Sequence, residues 1–209
     1  MKKIGFLLLI FFSFFVHSES IEVEYASFYS HVKKLQGDDT KALRFAFGFQ
    51  HIAESRLCKL TDAKIVTEKQ TLPLVVEANN RFTVPTDKIL KMAKALVLIE
   101  MEDQANQCDM SVQLETQPEY LKQGYTKQEL EFLFDQYQAF FDEMGGFLSF
   151  MMPEAEGLVL HFAAGVIFPE SLKNFISDNK LSLHQSQINQ LKGLELTESP
   201  LRITALLEK

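Results

Sequence analysis

The chain has 209 residues with a formal net charge of −7, five histidines and two cysteines. That length builds one domain with a sizeable core, or at most two small ones. The acidity argues against nucleic acid or anionic lipid as partners, because both call for concentrated Lys and Arg, and beyond the amino end the longest positive run is Lys33-Lys34.

The amino end has the three zones of an export signal. Lys2 and Lys3 give a positive start, Ile4 to Val16 is apolar apart from Gly5 and Ser13, and Val16 and Ser18 have the spacing that signal peptidase reads. As a helix the apolar stretch rises only about 20 Å, short of the roughly 30 Å hydrocarbon core. Residues 1–18 are therefore expected to be a cleavable signal peptide, cut after Ser18 or Ser20, with no membrane span after processing and a periplasmic address. A lipoprotein anchor is not expected, because it needs a cysteine at the cleavage point and the first one is Cys58. Loss of Lys2 and Lys3 with the leader takes the formal charge from −7 to −9.

Residues 19–209 read as a single α+β domain. Residues 25–36 are predicted to be a short helix, with Tyr25, Phe28, Val32 and Leu35 on one face and Gly37-Asp38-Asp39 ending it. The period then changes to two: Leu43, Phe45, Phe47 and Phe49 point one way, and Arg44, Ala46, Gly48 and Gln50 the other, as in a strand with an aromatic face. Residues 63–68 form another predicted strand. Leu74 to Glu77 and Arg81 to Val84 flank Ala78-Asn79-Asn80, the strongest hairpin signal in the chain. Pro85 closes it, and Asp87 to Lys94 suit a helical turn or two.

Ala95 to Met101 is apolar enough for a central strand, and in Cys108 to Glu115 the residues Cys108, Met110, Val112 and Leu114 alternate with polar ones. Thr126 and Glu129 have capping-box spacing and open an amphipathic helix over 126–152, stopped by Pro153 and interrupted by Gly145-Gly146. Gly157 to Ala164 is a predicted buried strand. From about residue 169 the composition loosens, with a last helix over Pro169 to Ile176 and two edge strands over 194–197 and 201–206. Short hairpin-linked strands with one late helix predict an α+β fold, a mostly antiparallel sheet with one long amphipathic helix packed on it.

Cys58 and Cys108 are an even pair whose spacing excludes a CxxC motif, and in an oxidising compartment they are expected to form a structural disulfide. The histidines lack HExxH or HxH spacing, no GxSxG or phosphate-cradling glycine pattern occurs, and no cofactor or metal is implied. His161, between Leu160 and Phe162, is either a core histidine or the one candidate general base. His51 with Glu54 reads as a solvated loop pair. The aromatic residues either fill a Phe-rich core or form an apolar face for a ligand or partner, with Phe45, Phe47 and Phe49 on the strand and Phe132 and Phe150 off the main face of the long helix.

Several segments resemble an exported Gram-negative family known as domain of unknown function 2987. They are Tyr25-Ala-Ser-Phe-Tyr, Thr67-Glu-Lys-Gln followed by Pro73-Leu74, Arg81-Phe-Thr-Val-Pro85, Cys108-Asp-Met-Ser-Val, Gly146-Phe147 with Met152-Pro153, and Gly157 through His161-Phe162. The resemblance implies export and single-domain organisation and carries no activity, cofactor or site residue. The leading expectation is a non-enzymatic periplasmic accessory protein that binds a hydrophobic ligand or an envelope partner chain. The alternatives are a hydrolase centred on His161 and a structural envelope-assembly protein.

Overall fold

The computed structural model describes residues 19–145 and 153–208. In chain order they form β1 (Glu19–Glu24), α1 (Tyr25–Val32), β2 (Leu43–His51), β3 (Leu60–Val66), β4 (Thr71–Leu74), α2 (Lys88–Met92), β5 (Leu96–Met101), β6 (Cys108–Thr116), β7 (Gly124–Thr126), α3 (Lys127–Gly145), β8 (Ala155–His161), β9 (Ile176–Ser177), β10 (Lys180–His184), α4 (Gln185–Gln190), β11 (Gly193–Glu195) and β12 (Arg202–Leu207). One sheet has the order β1-β5-β3-β4 and a second β12-β8-β10-β9, while β2–β6 and β7–β11 are two-stranded. Every strand pair among the described residues is antiparallel. The fold is thus a mixed α+β one, dominated by antiparallel sheets with the longest helix, α3, packed against them.

The aromatic face of β2 anchors the core. Phe47 meets Phe28 of α1 edge-on at 4.9 Å, and Phe45 meets Phe140 of α3 at 5.7 Å, so two helices cover one strand. On α3, Leu130, Leu133, Phe134, Tyr137 and Phe140 are buried at steps of three and four. The capping box forms as spaced: Thr126 N–H donates to Glu129 Oε2 at 2.8 Å, and Glu129 N–H donates to Thr126 Oγ1 at 3.2 Å. Tyr137 donates to the Ile203 carbonyl at 2.7 Å and lies 3.0 Å from Thr116 Oγ1, joining α3, β6 and β12 through one buried phenol. Cys58 and Cys108 form the expected disulfide, with sulfurs at 2.05 Å and Cα atoms 6.3 Å apart.

Two expectations need correction. The turn at Asn79-Asn80 is present, with Asn80 at φ 58° and Glu77 N–H donating to the Arg81 carbonyl, but no ladder extends from it. β4 pairs with β3 instead, and Phe82 bridges to Phe47 because its ring belongs to the cluster of Phe28 and Phe47. The predicted helix over 169–176 is a short 3-10 turn, Glu170–Phe175. After residue 169, β10 and β12 flank β8 on both sides, and Leu181, Leu183 and Ile203 are buried. Those strands are short and polar on one face, so their sequence alone carries little apolar signal. The signal peptide, the far end of the 126–152 helix and Phe150 lie outside the described residues. Among the described residues no helix is long and apolar enough to cross a membrane.

Candidate functional site

The face of the β2–β6 ribbon turned away from the aromatic core carries a buried charge cluster. Arg44 stands opposite Glu115, and Gly48 opposite Ser111. The Arg44 guanidinium grips Glu77 with Nη1–Oε1 at 2.6 Å and Nη2–Oε2 at 2.9 Å, and also donates from Nε and Nη2 to Glu115 Oε1. Glu115 is only 1 % exposed. Burial raises the proton affinity of its carboxyl above the ordinary range, and the charge and hydrogen bonds of Arg44 oppose that rise.

Gly48 makes room for the neighbouring turn. A Cβ there would sit 2.9 Å from the Asn80 carbonyl oxygen. The close approach delivers Arg81, 5 % exposed, whose Nη1 donates to the Ala46 carbonyl at 3.2 Å and whose Nη2 reaches Ser111 Oγ at 3.4 Å. Arg81 Nε and Glu115 Oε2 have no protein partner among the described residues. Burial lowers the proton affinity of Arg81 and the positive charge of Arg202 lowers it further, with Glu115 and Glu77 pulling the other way.

Arg202 connects this cluster to the surface. It opens β12, and its partner across the sheet is His161, the last residue of β8. On the other side of His161 the facing residue is Lys180 of β10. Directly opposed residues on antiparallel strands project to one face, so Arg202, His161 and Lys180 form a row across three strands. The imidazole Nε2 lies 2.9 Å from Thr204 Oγ1. Desolvation first, then the charges of Arg202 and Lys180, lower the His161 pKa from 6.5 to about 4, so the ring is neutral at pH 7. Asn79, Phe162, Asp178, Asn179 and Leu201 complete a cleft of about 280 Å³ around the row.

The other residues singled out in the sequence lie elsewhere. Phe45, Phe47 and Phe49 are core residues, while Phe132 is half-buried beside Tyr120 at 5.8 Å, so among the described residues the strand aromatics and Phe132 line no common cleft. His51 is buried and not a loop partner of Glu54. Its Nδ1 accepts from Ala53 N–H and its Nε2 faces Gln107, while Glu54 pairs with Arg56. Among the described residues no three His, Cys, Asp or Glu side chains converge as a metal site would require. Sequence reading passed over Arg44, Glu77, Arg81, Glu115 and Arg202. A lone charge between Leu43 and Phe45, on a face shared with Ala46, Gly48 and Gln50, was the signal available for the first of them.

A family model described as a protein of unknown function, DUF2987, matches residues 17–162. The chain belongs to the DUF2987 family. No curated protein and no solved structure matches it. The DUF2987 match runs from β1 through β8, so Arg44, Glu77, Arg81, Glu115 and His161 fall inside it, and Lys180 and Arg202 lie beyond it. In this DUF2987 chain His161 has a hydroxyl neighbour, yet the charges that bear on it are both positive. A base with a pKa of about 4 takes up a proton poorly at neutral pH. The arrangement suits receiving negative charge better than abstracting a proton.

Proposed function

We propose that this chain is an exported, non-enzymatic binding protein that takes the anionic group of a hydrophobic ligand at the His161 cleft. The observation that carries the reading is the cross-strand row Arg202–His161–Lys180, two cations flanking a histidine that they help keep neutral. An anion held between them would neutralise the local charge and raise the basicity of the imidazole. Phe162 and the exposed Leu201 give the cleft an apolar wall for the rest of such a ligand. The apolar leader and the closed Cys58–Cys108 disulfide support export to an oxidising compartment.

The test is a proton NMR titration of the His161 ring with inorganic phosphate, and in parallel with acetate and octanoate. The expected result is saturable binding that raises the His161 pKa from about 4, tighter for octanoate than for acetate, and lost in Arg202→Gln. No shift with any of the three anions overturns the proposal. The hydrolase reading draws on the 2.9 Å contact between His161 and Thr204. It requires ester or amide turnover that disappears in both His161→Gln and Thr204→Val, and its absence from a substrate panel with the folded protein would count against it.

A further inference from the structure

We infer that α2 and the β3–β4 hairpin tip form a docking patch for an anionic lipid surface, independent of the His161 cleft. Leu90 and Ala95 anchor α2 inward, and Asp87 caps it by accepting from Ile89 N–H at 2.7 Å. With Leu90 directed into the core, the outward arc of this short helix carries Lys91, Lys88, Met92 and Ile89. Ile89 and Met92 are 74 % and 73 % exposed, which places two large apolar side chains side by side in water. Lys94 follows, with a backbone φ of 51° that turns the chain out of the helix. A cavity of about 410 Å³ separates α2 from the hairpin tip, lined by Ile89, Leu90 and Ala93 on one side and by Thr67 to Gln70 on the other.

The chemistry of the patch points to its occupant. Lys69, Lys88, Lys91 and Lys94 are exposed, and none is held in an ion pair with a described carboxylate. Lys91 lies 5.4 Å from the Tyr29 ring centroid, which steadies its ammonium without neutralising it. Glu68 and Asp87 are the carboxylates on the same two segments, so positive charge is in excess there. Lysines around protruding apolar tips are the composition of interfacial attachment, with the apolar groups entering the acyl boundary and the ammonium groups meeting lipid phosphates.

The net charge of −7 does not forbid this. At physiological salt the Debye length is about 8 Å, so an approaching surface senses the patch more than the whole molecule. No local run marks these lysines in the sequence: Lys88 and Lys91 stand three residues apart on the outward arc of α2, Lys94 lies just beyond its end, and Lys69 comes from the hairpin tip.

The experiment is co-sedimentation of the purified protein, its leader state fixed by mass spectrometry, with two kinds of vesicle. One is pure phosphatidylcholine, and the other is phosphatidylcholine containing one-third phosphatidylglycerol. Retention is expected on the anionic vesicles alone and should fall as salt is raised. Lys88→Glu, Lys91→Glu and Lys94→Glu should each weaken it by about fivefold or more, and Met92→Asp should weaken it at every salt concentration. Lys192→Glu, a charge reversal in the link between α4 and β11, should leave it unchanged. The Lys88 and Lys94 variants should keep the melting temperature of the parent, since those residues are exposed and hold no ion pair among the described residues. The inference is overturned by no retention on anionic vesicles, by a triple lysine variant retained like the parent, or by binding to acidic polypeptide with none to vesicles.

Discussion

Arg44 and Glu115 face each other across the β2–β6 ribbon, and two nitrogens of the guanidinium, Nε at 3.0 Å and Nη2 at 2.7 Å, converge on one carboxylate oxygen. The same guanidinium also holds Glu77, so one arginine balances two carboxylates beneath the Asn79-Asn80 turn.

Arg44→Met should therefore cost about 3–5 kcal/mol of stability, because it leaves the buried Glu115 carboxylate, and the half-buried one of Glu77, without their counter-charge. Glu115 is already held above its ordinary value of 4.5 by burial, and losing Arg44 raises it further. The folded variant then binds a proton that the unfolded chain releases above that ordinary value, so the deficit should grow as pH rises. Urea melts of parent and variant across neutral and mildly acidic pH would show it.

For His161 the sign is opposite. Its folded pKa is depressed from 6.5 to about 4, so the unfolded chain holds a proton in that window and the folded one does not. Its contribution to stability is complete above pH 6.5 and is lost as pH falls toward 4. His161→Gln should flatten that part of the stability profile, and Arg202→Gln should move the ring's titration, read by NMR, back toward 6.5.

Gly157 permits no side chain. A Cβ there would lie 2.0 Å from the Leu183 carbonyl oxygen of β10, a distance that backbone must move to relieve. Gly157→Ala should cost about 3 kcal/mol, and thermal melting would report it directly.

Replacing both cysteines by serine opens a loop spanning 50 positions. The chain-entropy model gives such a closure about 4 kcal/mol. The double variant should melt well below the oxidised parent, and dithiothreitol should bring the parent down to match it.

Much of the architecture was legible because it rests on local periodicity. The alternation of Phe45, Phe47 and Phe49 set β2 and its core face, and the Thr126–Glu129 box opened α3 where its spacing requires. The site was less legible because it is assembled from a distance. Arg44, Glu77, Arg81, Glu115 and Arg202 lie on separate segments, and no local pattern shows that a strand register and a glycine bring them together. The β9–β10 hairpin turns through Asp178-Asn179, at φ 50° and 59°, a two-residue signal that was present and went unread. Its consequence is the position of Lys180, and with it half of the charge that faces His161.

The place of β8 inside its sheet bears on how the molecule can be handled. The family match ends at residue 162, immediately after β8, while the strands on both sides of β8 come later in the chain. A fragment trimmed at that boundary would present two bare hydrogen-bonding edges and the exposed flanks of Leu158 and Leu160. Such a strand is a template for self-association, so the trimmed fragment should form aggregates where the whole chain does not. The limit of recognisable ancestry and the limit of what can fold alone are different places in this polypeptide.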